Sequence, residues 1–578
     1  MKNFDFCIKK SEIVLRQNEL RRAISKKVIG QANEILDRPL PDTRYSLFRI
    51  YHATGNRTDY QKPFYEKRKN LIILAMASYL TKDKKYLLKL QDYIWDICNE
   101  PLWSIPAHLP ERINYQHTYI DLLASQTASK LAEILVLLGD KLDENIKLRI
   151  KYELEKRIFM PFYKQPQDYW WSRGYHSNWC AVCCGNIGIA TLLAGRSGVY
   201  FEKIITNTLD AITRYFDNFD SGGGWVEGIS YWNYGITHAL RYTDTLYRAT
   251  DGKINLFSHP KVQFAGLFPV HCFLPPNNFV NFGDSFSKPL LNRETMLLLA
   301  QHTKTGKQIS WLLKYINLRD FEDIIALREI EIPKPEMPEK TFMHFKDIGW
   351  VITRKTWKDK NTPVLAVKAG NNGEPHNQID VGQFIFHVFG EDFFCDHGGG
   401  EYTKDYFSPK RYENPFCNAE GHSLIFIDGK GQGIGKEFYG KIIEASHNPL
   451  LDIISIDMTS AYPQGLAKKI IRTLKFSKKP KYGVLLLEDL VETDTERIIE
   501  TRLQYNGELK KLDKSHFVLN GKNGKVAINI LKPEKYSVSQ GIFKNLATMS
   551  GERMDIRFLK IITKSNLAHF MIELQVFS

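Results

Sequence analysis

The chain has 578 residues, 43% of them hydrophobic and 25% charged, enough apolar material for two or more full cores and too much for a disordered or fibrous protein. Lysine and arginine outnumber aspartate and glutamate 79 to 65, a net charge of +14 that draws polyanions to the surface. No stretch approaches the ~20 apolar residues of a membrane span, and zinc-finger spacing, helix-turn-helix pattern and RNA-binding aromatic signature are all absent, so neither a membrane nor nucleic acid is the expected partner.

The N-terminus, Met1 to Lys10, holds no apolar run able to form a signal-peptide core, and a cytoplasmic protein is expected. From there to residue 328 apolar residues recur at helical spacing. Leu71–Met76 precedes Tyr86–Leu90, and Leu131–Leu138 precedes Ile146–Ile158, which reads as serial helical hairpins. The period is irregular, and the connections at 159–177 and 217–230 are long and aromatic-rich. That suits a closed (α/α) toroid whose loops build a cleft better than a strict repeat array.

Two segments of this half differ from their surroundings. Asp168 to Trp179 sets Trp170, Trp171 and Trp179 among Arg173, His176 and Asn178, an aromatic density that suits sugar stacking and equally suits packing between helices. Ser177 can cap the helix that follows, which puts Asn178 in its first turn, where an amide donor and the positive end of the helix dipole favour a carboxylate. Cys180, Cys183 and Cys184 fall in that same helix and read as buried thiols rather than a metal cluster or disulfides. The second segment, Gly222 to Gly235, is a glycine-rich loop with Glu227 that runs into a helix carrying Tyr231 and Tyr234 on one face.

Residues 329–343, Pro-spaced at Pro333, Pro335 and Pro338, cannot continue a helix and mark a linker between a helical domain, 1–328, and a second domain, 344–578. Beyond it the period becomes two, as in Gly349–Arg354, Val364–Lys368, Ser423–Ile427, Gly483–Leu487, Ile498–Arg502 and Val526–Ile530. With no helices between these runs, a large antiparallel sandwich is expected, making the whole an α+β multidomain chain.

His376 to Phe384, followed by Asp396 to Tyr402, is the most chemical stretch. It gathers an imidazole, amides, carboxylates and backbone-exposing glycines next to an alternating strand, Phe384–Phe389, expected to hold them at a rigid sheet edge. The plain alternative is that the polar groups only satisfy turn backbone.

Taken in order, the helical half, the entry Phe345-Lys346-Asp347-Ile348-Gly349-Trp350, the His376-Asn377-Gln378-x-Asp380-x-Gly382-x-Phe384 core, Asp396-x-Gly398 and the later His422 resemble the heparinase II/III-like polysaccharide lyases. The resemblance implies an (α/α) toroid joined to an antiparallel β-sandwich with the substrate cleft between them. It implies β-elimination on uronic-acid-containing acidic glycans: glycosaminoglycan fragments such as heparan sulfate, hyaluronan or chondroitin, or else alginate or another uronan. The implied catalytic residues are Asn178, Tyr231 and His376. Tyr231 is preferred because related lyases place the working tyrosine a few residues ahead of a Tyr-Gly pair, here Tyr234-Gly235, and Tyr234 stays open. His176, Trp179, Arg173, Glu227, Tyr234 and Arg411 are the expected substrate contacts, and Arg173, His176 and His376 are expected to lower the tyrosine pKa if they converge. No cofactor is needed for the chemistry. Relatives hold a structural zinc at positions matching Gln378, Asp396 and His422; an amide in place of the first histidine leaves zinc, calcium, manganese or no metal open. The expected partner is an acidic oligosaccharide or polysaccharide, with the protein a monomer or homodimer. The rivals are a non-catalytic glycan-binding protein and a glycoside hydrolase, the latter needing paired carboxylates of which Glu227, with Asp168 and Asp220 less well placed, is the best available.

Overall fold

The computed structural model describes residues 22–173, 177–195, 199–319 and 330–577. The N-terminal half is helical and antiparallel hairpins dominate it. α1 (Arg22–Leu36) packs on α2 (Thr58–Thr81) and α3 (Lys84–Asn99), while α4 (Leu122–Leu138) lies beside α5 (Asn178–Ala194). α5 is apolar on every side and is enclosed by α4, α6 (Val199–Asp217) and α7 (Ile229–Ala249), which makes it the central element. Its start is set by Ser177, whose Oγ accepts the Trp179 N–H at 3.2 Å. The cysteines of the described residues are free and buried, three of them in α5.

The second half holds a 16-stranded antiparallel network. Its first strands are β1 (Phe342–Phe345), β2 (Trp350–Arg354), β3 (Val364–Lys368), β4 (Gly370–Asn372) and β5 (Phe384–Val388). β2, β3 and β5 are buried on both faces. Trp350, Ile352, Ala366 and Ile385 pack into the helical core, whereas Val351, Leu365, Val367, Phe384 and Phe386 face the rest of the sheet. This two-sided burial joins the halves through a shared core at these strands. It also corrects one expectation: β5 pairs on one side with β3 and on the other with β6 (Glu391–Phe394), so the strand after the His376 stretch is central, not an edge. The sheet turns back on itself through two long strands, Val484–Tyr505 and Arg553–Phe577, paired along most of their length with a register break between Glu492 and Arg497.

Among the described residues no helix is long and apolar enough to cross a membrane.

Candidate functional site

α5 and α7 deliver the helical contribution. Asn178, the first residue of α5, is 3% exposed and donates from Nδ2 to Glu227 Oε2 at 3.0 Å, while Tyr215 Oη donates to its Oδ1 at 3.3 Å. The side chain fits because Gly235, the seventh residue of α7, has none: a Cβ there would lie 2.0 Å from Asn178 Oδ1 and 2.2 Å from Tyr215 Oη. Gly235→Ala is therefore expected to displace Asn178 and to cost about 1–3 kcal/mol of stability. Denaturant melts of the variant, set beside its activity, check both effects; an unchanged midpoint with full activity would show that the helices move apart at little cost.

The sheet contributes His376, held at φ +54° in the left-handed region ahead of β5. Such a conformation persists in a non-glycine residue only when its surroundings impose it. Here Asp284 imposes it twice, its N–H donating to the His376 carbonyl at 3.3 Å and its Oδ2 lying 3.1 Å from His376 Nδ1. Asp284 has no exposed surface and gathers further donors: Arg411 Nη2 at 2.8 Å, Tyr406 Oη at 2.7 Å and Tyr402 Oη at 3.2 Å. Burial by itself would raise the Asp284 pKa, but the His376 hydrogen bond and the Arg411 charge hold it below the usual carboxylate range. A carboxylate can only accept, so His376 Nδ1 is the donor of this pair and Nε2 is the ring nitrogen left for other partners.

Tyr231 closes the centre. Its ring stacks on the His376 imidazole with centroids 4.0 Å apart, and its hydroxyl lies 2.5 Å from Tyr402 Oη. Burial pushes its phenol well above the ordinary value, with the nearby Asp284 adding to the rise. The expectation of a cation-lowered tyrosine is thus corrected: Arg411 does oppose the rise, but it is outweighed, and Tyr231 enters a reaction protonated.

Asn178, Glu227, Tyr231, Tyr234, Trp179, His376 and Arg411 line one cavity of about 740 Å³. That size is typical of ligand sites. Trp179 stacks edge-on with His108 at 4.8 Å and lies 5.5 Å from the exposed Trp170, giving the entrance an aromatic wall. Tyr234 accepts a hydrogen bond from Gln126 Nε2 at 3.0 Å and also lines an adjoining space of about 680 Å³, together with Tyr231 and Tyr402. Arg411 spends its donors on Asp284 and the Asn377 carbonyl, so it braces the site rather than offering a free fork. Arg173 does not join the group: it donates to the Gln167 carbonyl at 3.3 Å and faces a separate hollow with Asn207 and Arg214. His176 lies outside the described residues. Of the hydrolase acids, Asp168 is exposed and away from the cavity, and Asp220 spends its carboxylate on the N–H groups of Gly222 and Asp347.

Four residues escaped the sequence reading: His108, Asp284, Tyr402 and Tyr406. Tyr402 closes the quoted Gly-rich stretch, and Gly283-Asp284 is a turn signal directly after an aromatic run. His108 carried no signal of its own; its Nδ1 sits 2.7 Å from Asp121, the cap of α4.

The carboxyl of Glu227 is raised well above its ordinary value, by burial first and then by Asp284 and Glu374. A folded-state pKa above the unfolded one contributes stability below the unfolded value of about 4.3 and loses it as pH rises toward the folded value. Glu227→Gln keeps an acceptor for Asn178 and removes the cost of ionising, so the variant is expected to gain thermal stability over wild type as pH rises above the unfolded value of about 4.3 toward the raised folded one. Melting curves that stay parallel across that range would contradict this.

Behind the cavity, Gln378, Asp396 and His422 are buried, and each has orphaned atoms. Gln378 Nε2 donates to the Gly283 and Gly398 carbonyls, leaving Oε1 unpartnered; Asp396 Oδ2 and both His422 ring nitrogens likewise lack a hydrogen bond. His422 Nδ1 is 3.6 Å from Asp396 Oδ2. Unpaired buried polar atoms are costly, and a carboxylate, an imidazole and an amide oxygen form a donor set that fits a small cation. Among the described residues His, Cys, Asp and Glu alone form no cluster of three able to hold a metal, and the third donor at this place is an amide.

Residues 337–553 match the family model described as Heparinase II/III-like, C-terminal. No curated protein matches the sequence. Among solved structures, a heparan sulfate lyase from Pedobacter heparinus is similar, with TM-score 0.67 and 14% identity over 99% of this chain and 87% of that one. A heparinase III gives TM-score 0.69 and 14% identity over 97% and 93% of the two chains. A second heparinase III gives TM-score 0.68 and 12% identity over 97% and 85%. At these identities the likeness is one of fold.

Proposed function

Because residues 337–553 form a heparinase II/III-like C-terminal domain on a chain folded like heparinase III, we propose that the protein is a polysaccharide lyase that cuts uronic-acid-containing acidic glycans by β-elimination. Glycosaminoglycan fragments are the preferred substrates. The observation that carries this reading is the meeting of an amide and a phenol from the helical half with an imidazole from the sheet: Tyr231 stacks on His376 at 4.0 Å, in a cavity that Asn178 also lines.

The barrier in such a reaction is removal of the C5 proton next to a carboxylate, which puts a second negative charge on an anionic group. One Asn178 N–H is committed to Glu227, and the other is left to donate to the uronate carboxylate as charge develops, an effect worth ~2.7–4 kcal/mol per donor. Burial raises the Glu227 pKa well above its ordinary value, which favours the uncharged acid and lessens repulsion beside it. His376 Nε2 takes the C5 proton. The electron pair of that C–H bond forms the C4=C5 double bond as the C4–O4 bond breaks, and the departing O4 takes its proton from the Tyr231 hydroxyl. Asp284 stabilises the imidazolium formed on His376, and Tyr402 turns its hydroxyl from Asp284 to donate to the Tyr231 phenolate until Tyr231 and His376 exchange protons with solvent. General acid and base steps of this kind supply about 10² to 10⁴ in rate.

The test is the ultraviolet absorbance of the unsaturated uronate, followed over a panel of heparan sulfate, hyaluronan, chondroitin and alginate oligosaccharides with wild type and His376→Ala. Chromophore from wild type and none from the variant is the expected result. Shortened chains without chromophore would replace the lyase by a hydrolase, and intact chains by a binding protein.

The cation site is part of the same proposal. Gln378 Oε1, Asp396 Oδ2 and His422 would hold a divalent ion that ties β5 to the following turns, and it would act structurally, taking no part in proton transfer. Elemental analysis of the purified protein is expected to find about one divalent ion per chain, and chelation to lower the melting temperature. Metal-free protein with an unchanged melt would remove it.

A further inference from the structure

A second groove opens on the other side of His376. It has a volume of about 710 Å³, and His376 and Asn377 line both it and the cavity already described. Its floor is backbone: Gly349 and Gly370 both have positive φ, and Gly440 pairs directly across from Gly370 in the strand β7 (Gly435–His447). Three exposed lysines stand around this floor: Lys346 in the β1–β2 turn, and Lys436 and Lys441 on β7. The pairing of β7 with β4 slips between Gly435 and Tyr439, which re-aims Lys436 out of the ladder.

The acids of the groove do not pair with these lysines. Asp347 accepts the Ser221 N–H at 3.1 Å and Glu374 accepts the Asn371 amide at 2.6 Å, while Lys346, Lys436 and Lys441 form no ion pair among the described residues. Lys368, the deepest cation of the groove, is paired with Asp380. Ammonium groups around an open trough that no carboxylate pairs with concentrate anions there. The ring of Tyr439 also lines the groove, with the Lys441 ammonium 5.2 Å from its centroid.

We propose that this groove is an anion-binding extension of the cleft, and that it takes the sulfated or carboxylated sugar residues of an acidic glycan on one side of the bond being cut. A chain lying through both spaces passes the imidazole at their junction, so the cut falls inside the chain rather than at its end. The proposal rests on reading the cleft as an acidic-glycan site, and it commits to a glycan rather than nucleic acid because the groove shares His376 and Asn377 with that cleft.

The test compares wild type with the triple variant Lys346→Gln, Lys436→Gln, Lys441→Gln. A control variant, Lys510→Gln, Lys511→Gln, Lys522→Gln, removes the same charge from exposed positions around the distant strand His516–Asn520. The probes are a sulfated uronate-containing octasaccharide, its unsulfated counterpart and a disaccharide-length fragment. Binding is measured directly by calorimetry on His376→Ala backgrounds, so that turnover is not needed, and KM separately by chromophore formation. The groove variant is expected to bind the octasaccharide roughly tenfold more weakly, with a shallower salt dependence, while the control variant matches wild type. A loss confined to the sulfated octasaccharide assigns the lysines to sulfate, and an equal loss with the unsulfated one assigns them to carboxylate. Unchanged octasaccharide binding overturns the proposal. So does an equal loss in the control variant or with the short fragment, since either would reflect overall charge. If wild type forms no chromophore but the calorimetric loss persists, the lyase reading fails and the groove stands.

Discussion

Tyr231→Phe is expected to lower kcat by about 10² to 10⁴ while changing KM far less. The ring remains, so the 4.0 Å stack on His376 and the packing of α7 are kept, and only the hydroxyl 2.5 Å from Tyr402 is lost. That hydroxyl is the group whose proton the departing oxygen needs. Burial holds the proton in place against the Arg411 charge, so the tyrosine is loaded as an acid before substrate arrives. Initial rates of chromophore formation against substrate concentration give the split between kcat and KM, and melting curves verify that the variant is folded. A kcat near that of wild type would move the acid to Tyr402 or Tyr234, which line the same cavity.

Asp284→Asn should be nearly as damaging, for a different reason. The residue touches no substrate; it positions. Its carboxylate takes His376 Nδ1, Arg411 Nη2, Tyr402 Oη and Tyr406 Oη, all within 3.2 Å and with no exposed surface. An amide in its place offers one acceptor atom instead of two and points N–H groups at donors. It leaves the guanidinium of Arg411, whose side chain is 11% exposed, without its counter-charge, a loss of about 3–5 kcal/mol for a buried pair. The imidazole also loses the partner that fixes its proton on Nδ1, so the fraction with a free Nε2 falls, and kcat per folded molecule should drop by at least about 10². The two consequences separate: a merely structural aspartate would lower the melting temperature and leave the kcat of the folded fraction intact. That outcome would reduce Asp284 to a stabilising contact.

Much of this arrangement was legible in the chain. Ser177 before an apolar run announced the helix start, and with it the place of Asn178, because capping is local chemistry. Tyr231 and Tyr234 announced a shared face by their spacing, and both reach the cavity. The switch of hydrophobic period near residue 340 announced where helices give way to strands, since side-chain period follows backbone geometry directly. Arg173 misled because charge beside tryptophans says nothing of direction: the 3₁₀ turn Trp170–Arg173 sends it toward α6 instead of the cleft. β5 was misplaced as an edge because alternation of large apolar residues does not distinguish one buried face from two when the residues between them, such as Ile385, are apolar as well.

What the sequence determined by itself is whatever depends on neighbours within a turn or two: helix starts, strand period, the domain order and the residue types gathered around His376. What only the tertiary structure decided is the role of Asp284, which lies 92 residues from His376 and more than 100 from Tyr402, Tyr406 and Arg411. No local rule marks such a residue, because a carboxylate earns its function there from burial and from donors that arrive on separate loops, and burial is a property of the packed chain alone. The same holds for the protonation of Tyr231: a phenol has one ordinary pKa in the sequence, and the direction in which it moves is set by how much water the fold removes and by which charge is left beside it.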